Sequence, residues 1–430
     1  MNYNNFSINS NQIYGLVDCN QFYVSCERAF APHLDKKPVG VLSNNDGCIV
    51  ALSPELKALG VSRGTPFFKI NEIINKETVY LFSSNYELYG DMSSRVMSIL
   101  SSMTDDIEIY SIDEAFILFK GLKNYDGLTD YGITIRNKIK KETSIPVSIG
   151  FGRTKTLAKI ATGLAKKDAT GVFCLLDPQK IEQTLRHTNI EDIWGIGRQY
   201  AKKMNKLGVY TAYDFINMPT YRVRKEMSVL GERTQMELKG VSCIELETVL
   251  PVTKSIVYSR SFGKPVSELS DILESVSLYC SNAVKNLREK GLVARNLTLF
   301  ITTNPFKNTK QYANFIQGNL PDYSAYTPDF INLGINLMKK IYKEKYFYKK
   351  TGVMLTDIIK QDKVHPNIFL NTYGSDKRHL IMNAIDKINN KLGKNKIFYV
   401  SNGLNNTWTM RREISSAKYT TSWNELLVVK

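Results

Sequence analysis

The sequence is poor in the residues that hold soft metals. It has six cysteines, at 19, 26, 48, 174, 243 and 280, none of them in a Cys-x-x-Cys pair. Its four histidines, at 33, 187, 365 and 379, are scattered. This argues against a zinc site and for reduced, structural thiols. No run approaches the roughly 18 apolar residues of a membrane span. Residues 1–12 are polar and Asn-rich, so a disordered leader rather than a signal peptide is expected, and with it a cytoplasmic protein. The Walker spacing is missing around residues 152–156, which excludes the P-loop of a nucleotide hydrolase.

What the chain has is positive charge. Lys and Arg total 57 against 41 Asp and Glu, for a formal charge of +16. Such a chain is suited to a polyanion; nucleic acid is the commonest, with an anionic membrane surface as the rival. At 430 residues and 43% hydrophobic content, two to four domains are expected.

The most informative stretch is Ile109-Tyr110-Ser111-Ile112-Asp113-Glu114-Ala115-Phe116-Ile117, with two adjacent carboxylates in an apolar run. Read as one strand, alternation puts Asp113 and Glu114 on opposite faces. A carboxylate inside an apolar strand is costly unless paired, so either a strand end reaches water here or a metal site lies at the end of a sheet. A second run, Tyr14-Gly15-Leu16-Val17-Asp18-Cys19-Asn20, also ends in an aspartate. Two such strands can hold Mg²⁺ through oxygens alone and leave room for substrate phosphates. Phe22 and Tyr23 follow closely, as core residues or as the wall of a nucleotide pocket.

Further along, residues 37–42 and 48–52 read as a hairpin about Ser43-Asn44-Asn45-Asp46-Gly47. Ser53 then caps a helix with Pro54 at its first position and Lys57 one turn in. Helices are predicted over 85–100, 131–143 and 154–167, the last carrying Lys155, Lys159, Lys166 and Lys167. A strand over 146–152 ends in glycines, and the loop after it could bind phosphate. The succession indicates an α/β core. Trp194-Gly195-Ile196-Gly197, leading into a helix with Lys202, has the form of a helix-hairpin-helix. There Gly195 and Gly197 would let the backbone approach a DNA phosphate; a structural turn is the alternative.

Residues 244–254 suit an exposed linker. Strands at 255–262, 295–303 and 350–355 and helices at 269–290 and 328–342 give a β-α-β-(β)-α-β unit, with Arg260 and Arg295 on or beside the strands. Residues 339–350 interleave basic and aromatic side chains, either as a ring-packed helix end or as a contact with a nucleic-acid backbone. Residues 361–430 read as a tail with a short helix at 377–389, in which Ile368 and Phe369 could enter a partner's groove.

Several motifs together resemble the Y-family translesion DNA polymerases: residues 18–27, 42–50 and 83–97, Tyr110-Ser111-Ile112-Asp113-Glu114-Ala115-Phe116, Thr154-Lys155-Thr156-Leu157-Ala158-Lys159, and Trp194-Gly195-Ile196-Gly197. The Ser43-Asn44-Asn45-Asp46-Gly47-Cys48 run and the tail are similar to the UmuC branch. The resemblance implies an α/β and α+β multidomain fold shaped as a right-hand polymerase. Its parts would be a leader (1–12), a palm (13–24 and 80–180), small fingers (25–79), a helix-hairpin-helix thumb (181–243), a linker (244–254), a β-α-β little finger (255–360) and a partner-binding tail (361–430). It implies error-prone, template-directed DNA synthesis past lesions, in DNA repair and the SOS response, from deoxynucleoside triphosphates and two Mg²⁺ ions.

The family's catalytic, metal-binding acids fall on Asp18, Asp113 and Glu114, and its main-chain carbonyl ligand on Cys19. Its steric gate against a 2′-hydroxyl falls on Tyr23, beside Phe22, and its triphosphate contacts fall on Lys57 and Lys166. Two departures stand out. Pro54 replaces the usual tyrosine, removing one hydroxyl from the triphosphate. Lys57 stands where other branches use Arg, so a bidentate grip becomes a point charge. Expected DNA contacts are Gly195, Gly197, Lys202, Arg260 and Arg295. The implied partners are primer-template DNA, an UmuD′-like dimer, a RecA filament and a sliding clamp. The clamp would bind at Ile368 and Phe369, although the family's leading Gln is out of register. No exonuclease carboxylate set is evident, so proofreading is not expected. One alternative is a catalytically silent DNA-binding repair subunit, which would not need all three acids. Another is a two-metal nuclease or cyclase, which would not need Tyr23, the thumb signal or the little finger.

Overall fold

The computed structural model describes residues 12–70, 73–74, 78–120, 127–247, 253–364, 375–393, 395–404 and 408–427. The chain divides into two compact units. No helix among the described residues is long and apolar enough to cross a membrane.

The first unit comprises Met1–Ser43, Gly47–Leu250 and Ile414–Lys430. Its central strand is β1 (Gln12–Cys19), and β1 is followed by helix α1 (Phe22–Phe30). Next come β2 (Val39–Leu42), β3 (Ile49–Leu52), the short helix α2 (Pro54–Ala58) and β4 (Tyr80–Ser83). These three strands form a small sheet ordered β3-β2-β4, with β2 and β3 antiparallel and β2 and β4 parallel. Ser53 caps α2 as its sequence predicts, its hydroxyl accepting from the Leu56 amide at 3.2 Å.

Helix α3 (Tyr86–Ser101), β5 (Ile107–Ile109), β6 (Glu114–Lys120), α4 (Leu128–Thr143), β7 (Val147–Gly152), α5 (Lys155–Ala165) and β8 (Val172–Leu175) build the larger sheet, ordered β5-β6-β1-β7-β8. Strand β1 is antiparallel to both neighbours, and the main core of the unit lies against this sheet. Helices α6 (Pro178–His187), α7 (Arg198–Lys206), α8 (Ala212–Asn217) and α9 (Thr220–Leu238) close over a separate core that includes Ile190, Ile193, Ile196, Met204 and Phe215.

Two local expectations change. Residues 109–117 are not one strand: β5 ends at Ile109, β6 starts at Glu114, and Tyr110–Asp113 form the turn between them. Side-chain alternation therefore does not apply across the acid pair. The glycines of β7 do not make a phosphate cradle. A Cβ on Gly150 would stand 2.1 Å from the Thr162 amide nitrogen, and one on Gly152 2.6 Å from that of Ala158. They are glycine because α5 lies directly on the strand. The start of α5 is occupied by the chain's own anion: Glu237 Oε2 accepts from the Thr156 amide at 3.1 Å, while its Oε1 accepts from the amides of Cys243 and Ile244.

The second unit comprises Asn44–Asp46 and Pro251–Glu413. It runs β9 (Ile256–Val266), α10 (Leu269–Glu289), β10 (Leu292–Thr303), β11 (Ala313–Ser324), α11 (Thr327–Ile341), β12 (Tyr348–Lys360) and α12 (Ser375–Leu392). Its antiparallel sheet is ordered β11-β10-β12-β9. Along β10, Leu297, Leu299 and Ile301 are buried with residues of α10 and α11, while Asn296, Thr298, Phe300 and Thr302 alternate to the other face. Strand β11 is an edge strand with polar and exposed positions, which is why periodicity signals it only weakly. In the basic-aromatic run, Tyr346 and Tyr348 pack with Tyr312 and Tyr342 packs with Tyr348, whereas Phe347 is exposed.

Candidate active site

The antiparallel register of β1 and β6 sets Asp18 directly opposite Glu114. The Cys19 amide donates to the Asp113 carbonyl at 2.8 Å, which fixes the acid turn to the end of β1. Within the turn, the Ser111 hydroxyl donates to Asp113 Oδ1 at 2.7 Å and accepts from the amides of Asp113 and Glu114. The turn thus holds Asp113 and Glu114 as consecutive residues at the same end of the sheet as Asp18.

Burial pushes the Asp18 carboxyl up to about 6; Lys166 opposes that rise, and Glu114 and Asp113 add to it. The acids draw cations. Lys166 Nζ lies 2.8 Å from Asp18 Oδ1, and Lys159 Nζ donates to both oxygens of Glu114 at 3.0 Å. Lys159 also lies 4.9 Å above the Tyr110 ring and 5.6 Å above that of Trp194. Among the described residues, no group of three or more His, Cys, Asp or Glu side chains is arranged to hold a metal ion. Each acid has a separate partner: Asp18 with Lys166, Asp113 with Ser111, Glu114 with Lys159. Even so, an all-oxygen donor set of three neighbouring acids, already attracting two ammonium groups, fits hard divalent cations.

Tyr23 is partly exposed on α1, and Phe22 beside it is buried. The Tyr23 ring stacks on Tyr89 of α3, with centroids 4.4 Å apart and planes at 14°, and meets Tyr86 edge-on at 6.2 Å. Its hydroxyl is held protonated by burial first, with Tyr86 and Asp113 adding to the rise. Cys19 is buried, and burial likewise keeps its thiol neutral, which leaves its backbone as the polar group on offer. Lys57 is exposed on α2.

The expected DNA contacts fall on both units. Gly195 has φ +87°, a conformation glycine adopts freely, and a Cβ on Gly197 would meet nothing within 4 Å, so the backbone there is open. Lys202 is exposed on α7. Arg260 pairs in register with buried Thr351 and lies 4.6 Å over the Tyr258 ring, on the helix-covered side of its sheet. Arg295 is exposed at the bulge between Ala294 and Asn296. Ile368 and Phe369 lie outside the described residues.

Sequence reasoning left Lys159 and Ser111 without roles, although both lie in the motifs that carry the resemblance. It also missed the uncovered sheet face, where Phe300 pairs with exposed Phe315 and Lys350 Nζ lies 5.6 Å over Phe300.

The fold is similar to that of the Y-family DNA polymerase chimera Dbh-Dpo4(243-245)-Dbh, with a TM-score of 0.68 over 81% of this chain and 99% of that one at 19% identity. The architecture is therefore that of a Y-family DNA polymerase. In sequence the chain is 40% identical to Protein UmuC of Salmonella typhimurium, over 97% of this chain and 100% of that protein. It is 32% identical to DNA polymerase IV of Saccharolobus solfataricus, over 63% of this chain and 75% of that protein. Residues 17–163 match the impB/mucB/samB family, residues 253–367 that family's C-terminal domain, and residues 379–429 a domain of unknown function, DUF4113. The chain belongs to the impB/mucB/samB family, the UmuC-like translesion DNA polymerases.

Proposed function

We propose a division of labour for this translesion DNA polymerase in which the β1 end and the 110–113 turn perform the chemistry. The observation that carries it is the meeting of Asp18, Asp113 and Glu114 at one end of the sheet beside Tyr23. Asp18, Asp113, Glu114 and the Cys19 carbonyl would hold two Mg²⁺ ions, which when bound ease deprotonation of the primer 3′-hydroxyl and neutralise charge on the triphosphate. Lys166 and Lys57 bind triphosphate oxygens as point charges. Lys159, released from Glu114 as other cations enter, serves the same anion. Tyr23, over the floor formed by Tyr89, excludes a 2′-hydroxyl by contact.

The larger sheet acts as palm (13–24 and 80–180) and the region that carries β2, β3 and α2 as fingers (25–79). Residues 181–243 act as thumb, placing Gly195, Gly197 and Lys202 on the DNA backbone. Residues 255–360 act as little finger, with Arg295 and the uncovered sheet face towards duplex; Arg260 serves at the sheet edge. The small fingers make few contacts to a nascent pair, which supports lesion bypass at low fidelity. An UmuD′-like dimer, a RecA filament and a clamp engaging Ile368 and Phe369 are the proposed partners, in the cytoplasm during the SOS response.

Tyr23→Ala is expected to admit ribonucleotides. The ratio of kcat/KM for deoxy- over ribonucleotide should fall by about ten- to a hundred-fold, the range of a relieved steric clash. Single-nucleotide insertion measures it, and an unchanged ratio removes Tyr23 from the gate.

A further inference from the structure

The floor under Tyr23 is held from the far end of the chain. Tyr89 is fully buried, and its hydroxyl donates to Glu27 Oε1 at 2.6 Å. Glu27 is 1% exposed and sits one turn after Tyr23 on α1. The same Oε1 accepts a second hydrogen bond, 3.1 Å long, from the Ser416 hydroxyl. Ser416 belongs to a segment that is laid along the first unit. Ser83 and Ser415 form a parallel bridge, and the Ser83 amide donates to the Ile414 carbonyl at 3.0 Å. Asn85, which caps α3 through the Leu88 amide, also donates to the Ser416 hydroxyl at 3.0 Å and to the Ala417 carbonyl at 3.3 Å. Tyr419 stacks on Phe30 at the end of α1, with centroids 4.8 Å apart and planes at 3°.

These contacts bind the segment to the two helices that make the gate: α1, which carries Tyr23 and Glu27, and α3, which carries Tyr86 and Tyr89. A buried carboxylate needs its hydrogen bonds satisfied. With Ser416 absent, Glu27 keeps one side-chain donor, Tyr89, and must find its second elsewhere. Any shift of Glu27 is passed to the Tyr89 ring and from there to the stacked Tyr23.

We propose that residues 414–419 are a sugar-selection element, in which Ser416, Glu27 and Tyr89 act as positioning residues for Tyr23. This rests on the reading of Tyr23 as the gate. None of the three touches the nucleotide; they set where the Tyr23 ring lies. The C-terminal end of the chain is thereby part of the nucleotide pocket's support as well as a region for partners.

The test measures the deoxy- over ribonucleotide ratio of kcat/KM in the full chain on primer-template DNA, with accessory proteins included if extension requires them. The variants are Ser416→Ala, Ser416→Thr, Tyr89→Phe, Tyr23→Ala and the double Tyr23→Ala/Ser416→Ala. Ser416→Ala removes one hydroxyl, and a thermal melt confirms that the variant is folded. Ser416→Ala and Tyr89→Phe should each lower the ratio by about three- to ten-fold, the effect of one lost hydrogen bond. Deoxynucleotide kcat of Ser416→Ala should be little changed, and Ser416→Thr should retain selectivity. On the Tyr23→Ala background Ser416→Ala should add nothing, because the two act through one ring. A lowered ratio in Tyr23→Ala with wild-type ratios in Ser416→Ala and Tyr89→Phe overturns the inference and leaves the gate standing. A Ser416→Ala effect that persists in full on the Tyr23→Ala background also overturns it. An unchanged ratio in Tyr23→Ala itself removes the gate and the inference together.

Discussion

Replacing Asp113 by Ala or Asn is expected to abolish nucleotide addition while leaving DNA binding intact. Among the described residues Asp113 has no ion pair to lose; its Oδ1 accepts a hydrogen bond from Ser111, which Asn reproduces. The fold should therefore survive. What is lost is one of three negative charges at a sheet end that has to gather divalent cations, and the loss of such an electrostatic element from a pre-organised site costs on the order of 10²- to 10³-fold in rate or more. DNA affinity comes from cations facing phosphates, so removing an acid leaves it equal or tighter. Single-turnover insertion and a binding titration on the same variant separate the two. A fall in affinity that matches the fall in rate would remove Asp113 from the chemistry.

The second large effect is on stability. Lys155 is 1% exposed, and its ammonium donates to Glu108 Oε2 at 2.5 Å and to the Glu245 carbonyl at 2.7 Å. It also lies 5.0 Å over the Phe116 ring. Glu108 Oε2 accepts in addition from the Glu247 amide at 2.6 Å. One buried pair thus joins strand β5, the start of α5 and the beginning of the 244–254 segment, which is pinned through its backbone while Glu245 and Glu247 expose their side chains. Lys155→Ala strands the Glu108 carboxylate away from water, and breaking a buried pair in this way costs about 3–5 kcal/mol. The variant should melt well below wild type in a thermal scan. Lys155→Met/Glu108→Gln, which leaves no buried charge, should recover much of the loss. A single variant as stable as wild type would show that the pair carries no such weight.

The parts of the site legible in the sequence are local. The acid pair, Asp18 at the end of an apolar run and the Ser53-Pro54 helix start each need only a few neighbouring residues to be read. The geometry of the acid pair was not legible, because apolar periodicity across 109–117 hides a tight turn whose hydrogen bonds come from the Ser111 side chain. The partners of the buried charges were not legible either. Lys155 meets Glu108 47 positions away, Lys159 meets Glu114 45 away, and Ser416 meets Glu27 389 away. No window of periodicity spans such distances; only the packed fold brings these groups together. The loop after the glycine-ended strand reads as a phosphate site, whereas the distant Glu237 carboxylate takes the Thr156 amide there. In the second unit the alternating strands were visible and the edge strand β11 was faint, because its alternation is broken: Asn314 and Gly318 pair on the helix-covered face and Phe315 on the other.

The most direct test of the central claim is primer extension with Mg²⁺ and four deoxynucleotides on an undamaged and an abasic template, comparing wild type with Asp113→Ala. The assay is run with the chain alone and then with clamp, UmuD′-like dimer and RecA–ATP. Extension past the abasic site by wild type, and none by Asp113→Ala at equal DNA binding, is expected. Silence of the wild-type chain under every condition, with DNA binding intact, would contradict it and leave a non-catalytic repair subunit in its place.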